Sequence, residues 1–195
     1  MKTYEIIYSA LLLLMGISDV TSLAAAIDPE ECEFHTPTTM HEFCCDIYDE
    51  ISEFVECQIE WNDKIHVTTD EQEKNHNFCV SECVYNKTNY LGKDRMSLRM
   101  NAVKYHLKEL HSDEQSEKQL YSTYEKCAIH AKDMLEHDAV KKLETELSTH
   151  GCHPYPGLVF ECVTNQMILN CPLTKFHKTA QCEHAREYLK ACLKQ

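Results

Sequence analysis

The sequence predicts an all-α protein of seven or eight short helices. Three observations carry that class. Apolar residues recur at helical spacing in one segment after another. Few stretches alternate apolar with polar residues as half-buried strands do, and only Gly92, Gly151 and Gly157 follow the first 26 residues. Twelve cysteines, an even number, all fall after that same stretch. In an oxidising compartment such a set reads as a disulfide framework.

The elements follow in chain order. Phe43, Ile47, Ile51, Phe54 and Ile59 make a first stripe, and a helix is also expected around Cys79 and Cys83. Met96, Met100, Val103, Leu107 and Leu110 step by four and three. Ser112-Asp113-Glu114-Gln115 has the form of a capping box, and Leu120, Tyr124, Cys127, Ala131 and Met134 continue the stripe behind it. Val140, Leu143 and Leu147 form a further helix face that stops at His150-Gly151, where glycine suits a helix C-terminus. Val159, Val163 and Met167 mark another helix after the HPYPG turn, and Ala185, Leu189 and Cys192 a last one. These stripes are first of all a hydrophobic core. The Met- and Leu-rich ones equally suit the wall of a cavity, because methionine adapts to irregular apolar shapes.

Residues 1–26 read as a secretory signal. Lys2 precedes an apolar run from Ile6 to Ile17, and Ala24 and Ala26 form an A-x-A cleavage pattern. The run is short of the about 20 residues a membrane helix needs. Residues 27–195 are then expected to be one extracellular domain with an extended N-terminal arm and a C-terminal extension. The formal net charge of −13 disfavours nucleic acid as a partner and favours solubility. No membrane insertion is expected, and the chain is expected to be a monomer or homodimer.

Catalytic and metal chemistry find little support. His76, Cys79 and Cys83 fit one helix face as zinc ligands, but secretion favours oxidised sulfur over thiolate, so no metal is expected. The fragment CCDIYDE from Cys44 resembles the helix of secreted phospholipases A2. Tyr48 stands where a catalytic histidine would be needed, and no glycine-rich calcium loop is present. His41-Glu42 lacks the second histidine of H-E-x-x-H, and no G-x-S-x-G occurs. No enzymatic activity and no cofactor are expected. Asn86-Lys87-Thr88 is a glycosylation sequon. Twelve histidines offer any ligand release a route to pH dependence, although scattered surface histidines account for them equally simply.

The cysteine spacing adds a resemblance. Cys57-x21-Cys79-x3-Cys83-x43-Cys127, with Cys162-x8-Cys171, is similar to the six-cysteine framework of insect odorant-binding proteins. Cys152-x9-Cys162-x8-Cys171-Pro172-x9-Cys182-x9-Cys192 resembles the Plus-C branch of that family. Cys32, Cys44 and Cys45 have no clear place in the pattern. Cys79 and Cys83 lie one helical turn, about 6 Å, apart. They are too far apart to pair with each other, so they should reach different helices.

The resemblance implies the pairs Cys57–Cys83, Cys79–Cys162 and Cys127–Cys171, and a disulfide-stapled cage around an apolar cavity. It implies an extracellular carrier that binds odorants, pheromones or similar small hydrophobic ligands and moves them through lymph toward a membrane receptor. Met96, Met100, Val103, Leu107, Leu135, Phe160, Val163 and Met167 are the candidate cavity wall, chosen as helix faces. The competing class is a secreted helical protein that binds another protein and has no cavity. If the six framework cysteines pair among themselves, Cys32, Cys44 and Cys45 remain at one end and Cys152, Cys182 and Cys192 at the other. If all of these are oxidised within one chain, parity requires one or three bridges from the N-terminal arm to the C-terminal extension.

Overall fold

A computed structural model of the chain describes residues 44–46, 52–110 and 113–192. Seven helices and no strand occur among the described residues. They are α1 (Ser52–Asn62), α2 (Asp70–Lys87), α3 (Met100–Leu110), α4 (Glu114–Met134), α5 (Asp138–Ser148), α6 (Pro154–Asn170) and α7 (Ala180–Cys192).

Local chemistry sets several helix starts. Thr69 caps α2 by accepting from the Gln72 amide, and the Gln72 side chain accepts in return from Thr68. This reciprocal arrangement satisfies donors that a helix start leaves free. At α4 the cap is Asp113, whose carboxylate accepts from the Ser116 amide at 2.7 Å. Ser112 lies outside the described residues. α6 starts with Pro154 in its first turn, preceded by His153, whose Nδ1 accepts from the Tyr155 amide. Gly151, at φ +78°, takes the left-handed position after α5 that glycine adopts without strain.

α6 is the centre of the packing, with α2, α4, α5 and α7 laid against it. α4 and α6 run antiparallel. The Gln119 side chain reaches the Asn170 carbonyl at one end, and Cys127 bonds Cys162 further along. α2 approaches α6 closely where Gly157 meets the ring of Phe78. The buried rings of Tyr85, Tyr90 and Tyr124 form a second knot, with centroids 5.7 to 6.5 Å apart. Tyr90 closes it through a 2.6 Å hydrogen bond to His106.

Most helix stripes turn inward. Leu120, Tyr124, Cys127, Ala131, Val140, Leu143 and Leu147 are all buried. The stripes that begin at Phe43 and Met96 need correction. α1 presents Cys57 to the core while Ile59 is 63% exposed, and Phe43, Ile47 and Ile51 lie outside the described residues. α3 begins at Met100, so Met96 sits in the preceding loop, 40% exposed.

Among the described residues the bridges are Cys44–Cys182, Cys45–Cys171, Cys57–Cys83, Cys79–Cys152 and Cys127–Cys162. Cys192 is also disulfide-bonded, and Cys32 lies outside the described residues. Cys57–Cys83 is the pair the resemblance implies, whereas Cys79–Cys162 and Cys127–Cys171 are not formed. Helix register explains both corrections. Cys127 directly faces Cys162 across the antiparallel pair, and Cys171 lies about 13 Å further along. Cys79 faces the turn before α6, where Cys152 stands, and Cys162 is about 15 Å beyond it. The assumption that six framework cysteines pair among themselves therefore fails. Residues 44 and 45 are nonetheless fastened to the C-terminal part by two bridges. Backbone bonds from Asp46 to Lys175 and from His177 to Cys44 add to that seam.

Candidate functional site

Where α4, α6 and α7 meet, they leave a groove of about 730 Å³. Ligand pockets commonly measure about 300–1,000 Å³. Its floor holds the Cys127–Cys162 bridge with Leu158 and Leu189. These residues are there for a packing reason. α4 and α6 each bury one apolar stripe, and the flank of each helix beside that stripe forms a groove wall. α7 closes the side with Tyr188, Leu189 and Cys192.

Because α4 and α6 run antiparallel, the groove changes character along its length. One end gathers Gln119, Ser122, Thr123, Asn165, Gln166 and Asn170. Lys126, His130 and Glu161 line the middle, and Met134 and Leu158 mark the other end. Several polar groups already satisfy one another. Gln119 donates to the Asn170 carbonyl, Asn170 donates to Gln166, and the Thr123 hydroxyl donates to the Gln119 carbonyl. Asn165 differs, because its Oδ1 is buried without a hydrogen-bond partner. A buried acceptor left unpaired costs about 1–3 kcal/mol.

The sequence-derived wall residues do not line this groove. Val103, Leu107, Val163 and Met167 are core residues. Met100, Leu135 and Phe160 are partly buried against the core, and Phe160 stacks on Phe54 with centroids 5.9 Å apart. Met96 is on the surface. The apolar stripes lie largely in the core, and the walls of this groove are the mixed polar flanks of the same helices. The sequence signal was the polar face of α4, with Gln119, Thr123, Lys126 and His130 at steps of four and three.

A second, smaller depression of about 430 Å³ is lined by Trp61, Asn86, Lys87 and Arg95 among others. Beneath it lies a structural junction. The buried Glu82 carboxylate accepts from Arg95 Nε at 2.6 Å and from the His153 backbone amide at 2.7 Å. Arg95 also donates to the Gly151 carbonyl. Together with Cys79–Cys152, these bonds join α2, the loop before α3 and the α5–α6 turn. Burial is the main cause that holds the His153 imidazole below its ordinary pKa, with Arg95 acting in the same direction against Glu144 and Glu82. Asn86 of the sequon is exposed in the last turn of α2, which continues to Lys87. Cys79 and Cys83, candidate zinc ligands in the sequence, are both oxidised.

The fold and groove define a class: a disulfide-stapled, all-helical protein with a ligand-sized groove on its central helix pair. A model of the AgamOBP47-like family, an insect odorant-binding protein family, matches residues 47–188. The chain belongs to that family, and its twelve cysteines are consistent with the Plus-C branch. No curated protein and no solved structure matches the chain. Among the described residues no helix is long and apolar enough to cross a membrane.

Proposed function

We propose that the protein is a secreted carrier that binds small hydrophobic molecules reversibly in the α4–α6–α7 groove and moves them through aqueous lymph toward receptors. The observation that carries this reading is the ligand-sized groove on the helix pair of an odorant-binding family member. Five disulfides among the described residues support an extracellular setting. They also brace the groove, because Cys127–Cys162 ties its two walls together. Binding needs no reactive group. A micromolar Kd corresponds to about 8 kcal/mol. At roughly 25 cal/mol per Å², that is about 330 Å² of apolar ligand surface, before the cost of association.

The test is displacement of a fluorescent naphthylamine dye by long-chain alcohols, esters and aromatics, with recovery of the ligand afterwards. Micromolar displacement and chemically unchanged ligand are expected. Absence of binding across the panel, or altered ligand, would contradict the carrier reading. Absence of binding together with a stoichiometric protein complex from lymph would favour the protein-binding class.

A further inference from the structure

We infer that Asn165 is the polar anchor of the groove and selects ligands with a hydroxyl head group and an apolar tail. The inference rests on the carrier reading and adds ligand chemistry and orientation to it. Two independent observations carry it.

The first is the polarity gradient. Gln119, Gln166 and Asn170 gather at one end of the groove, and Met134 and Leu158 stand at the other. A purely apolar ligand would leave the polar end unmatched, and a wholly polar one would gain nothing from the Met134 end. A molecule with a head and a tail matches both.

The second is the state of Asn165 among its neighbours. Gln119, Gln166 and Asn170 are tied to one another by hydrogen bonds, so each already has a partner within the group. Asn165 also lines the groove, and its buried Oδ1 has no partner. Among the described residues it is the groove amide whose oxygen is buried and unpaired. The last torsion of an asparagine side chain has a broad energy profile, so ligand entry can turn either end of the amide toward the head group. A hydroxyl both donates and accepts, and so pairs with the oxygen or with the NH2. An alkane pairs with neither, and an ether can only accept. Binding an alcohol therefore supplies the missing partner, and binding an alkane leaves Oδ1 unsatisfied.

The experiment compares decanol, decyl methyl ether and undecane as competitors of the naphthylamine dye on the full disulfide-bonded protein. Wild type is expected to bind decanol about threefold to tenfold more tightly than undecane, the factor a net hydrogen bond provides, with the ether, which accepts only from the NH2, in between. Asn165→Leu, close in size, is expected to bring decanol and the ether down toward the level of undecane while dye and undecane affinities hold. Asn165→Ser, which keeps a hydroxyl, is expected to retain part of the preference and serves as the test if the leucine variant does not fold. The inference is overturned if either folded variant keeps the full wild-type preference. It is also overturned if decanol and undecane weaken equally, which would indicate a change of shape alone. Failure of wild type to bind any of the three would instead remove the carrier reading.

Discussion

Replacing Gly157 with alanine tests the close approach of α6 to α2. Gly157 closes the first turn of α6, and a Cβ built there would stand 2.3 Å from Phe78 Cδ1, 2.7 Å from Cγ and 2.8 Å from Cε1. Carbon atoms pack best at about 3.5–4.0 Å, so ring or helix must move by about 1 Å. Neither has room. Phe78 is 1% exposed, and its neighbour Cys79 is bonded to Cys152 just before α6. By propensity alone, a glycine-to-alanine change inside a helix stabilises by about 0.5–1 kcal/mol. Overpacking a filled core costs about 1–3 kcal/mol. The clash is severe enough to place the cost at the upper end, leaving a net loss of about 2–2.5 kcal/mol. For a chain of this size that lowers Tm by about 4–10 °C. The assay is urea and thermal unfolding with disulfides intact. The double variant G157A/F78L should lose less than the sum of the single variants, because the smaller side chain vacates the space. Equal or greater stability of G157A, or simple additivity with F78L, would refute the packing argument.

Three further expectations follow from named contacts. Glu82→Ala should cost about 2–3 kcal/mol, less than a fully buried ion pair because Arg95 is partly exposed, and Glu82→Gln should cost less because its amide oxygen still accepts; urea midpoints measure both. Arg186 donates to the Ile168 and Cys171 carbonyls and lies over the Phe176 ring, so Arg186→Lys should lose about 1 kcal/mol by abandoning the planar contacts, again read from unfolding midpoints. His153 has a depressed pKa, so the unfolded chain takes up its proton first as pH falls. The stability His153 contributes is therefore present above about pH 6.5 and lost below it. His153→Asn keeps a side-chain acceptor at the N-cap and removes the titration, so its midpoint should fall less than that of wild type between pH 7.5 and 5.5.

These contacts also show what a sequence can and cannot display. Leu120, Tyr124, Cys127 and Ala131 were legible because a helix that buries one face repeats its apolar residues every three or four positions. α2 gave no such stripe, because Asn75, His76, Phe78 to Glu82, Val84 and Tyr85 are all buried and leave little solvent face to set a period. Cysteine partners were illegible for a different reason. Spacing along the chain does not fix the register in which α4 meets α6, and that register brings Cys162 rather than Cys171 to Cys127. The candidate wall residues lie outside this groove because apolar residues report burial, and burial here means close packing. Gln119, Asn165 and Gln166 read as solvent-facing until the third helix, α7, encloses them.

The most direct measurement is the location of a bound ligand. In crystals grown with an ω-bromo long-chain alcohol, anomalous scattering from bromine marks the tail and ordinary density marks the head. The account predicts one bromine near Leu158 and Met134, with the hydroxyl within hydrogen-bonding distance of the Asn165 amide. Bromine bound elsewhere, or seated at the Gln119–Asn170 end with the hydroxyl pointing away from Asn165, would contradict it.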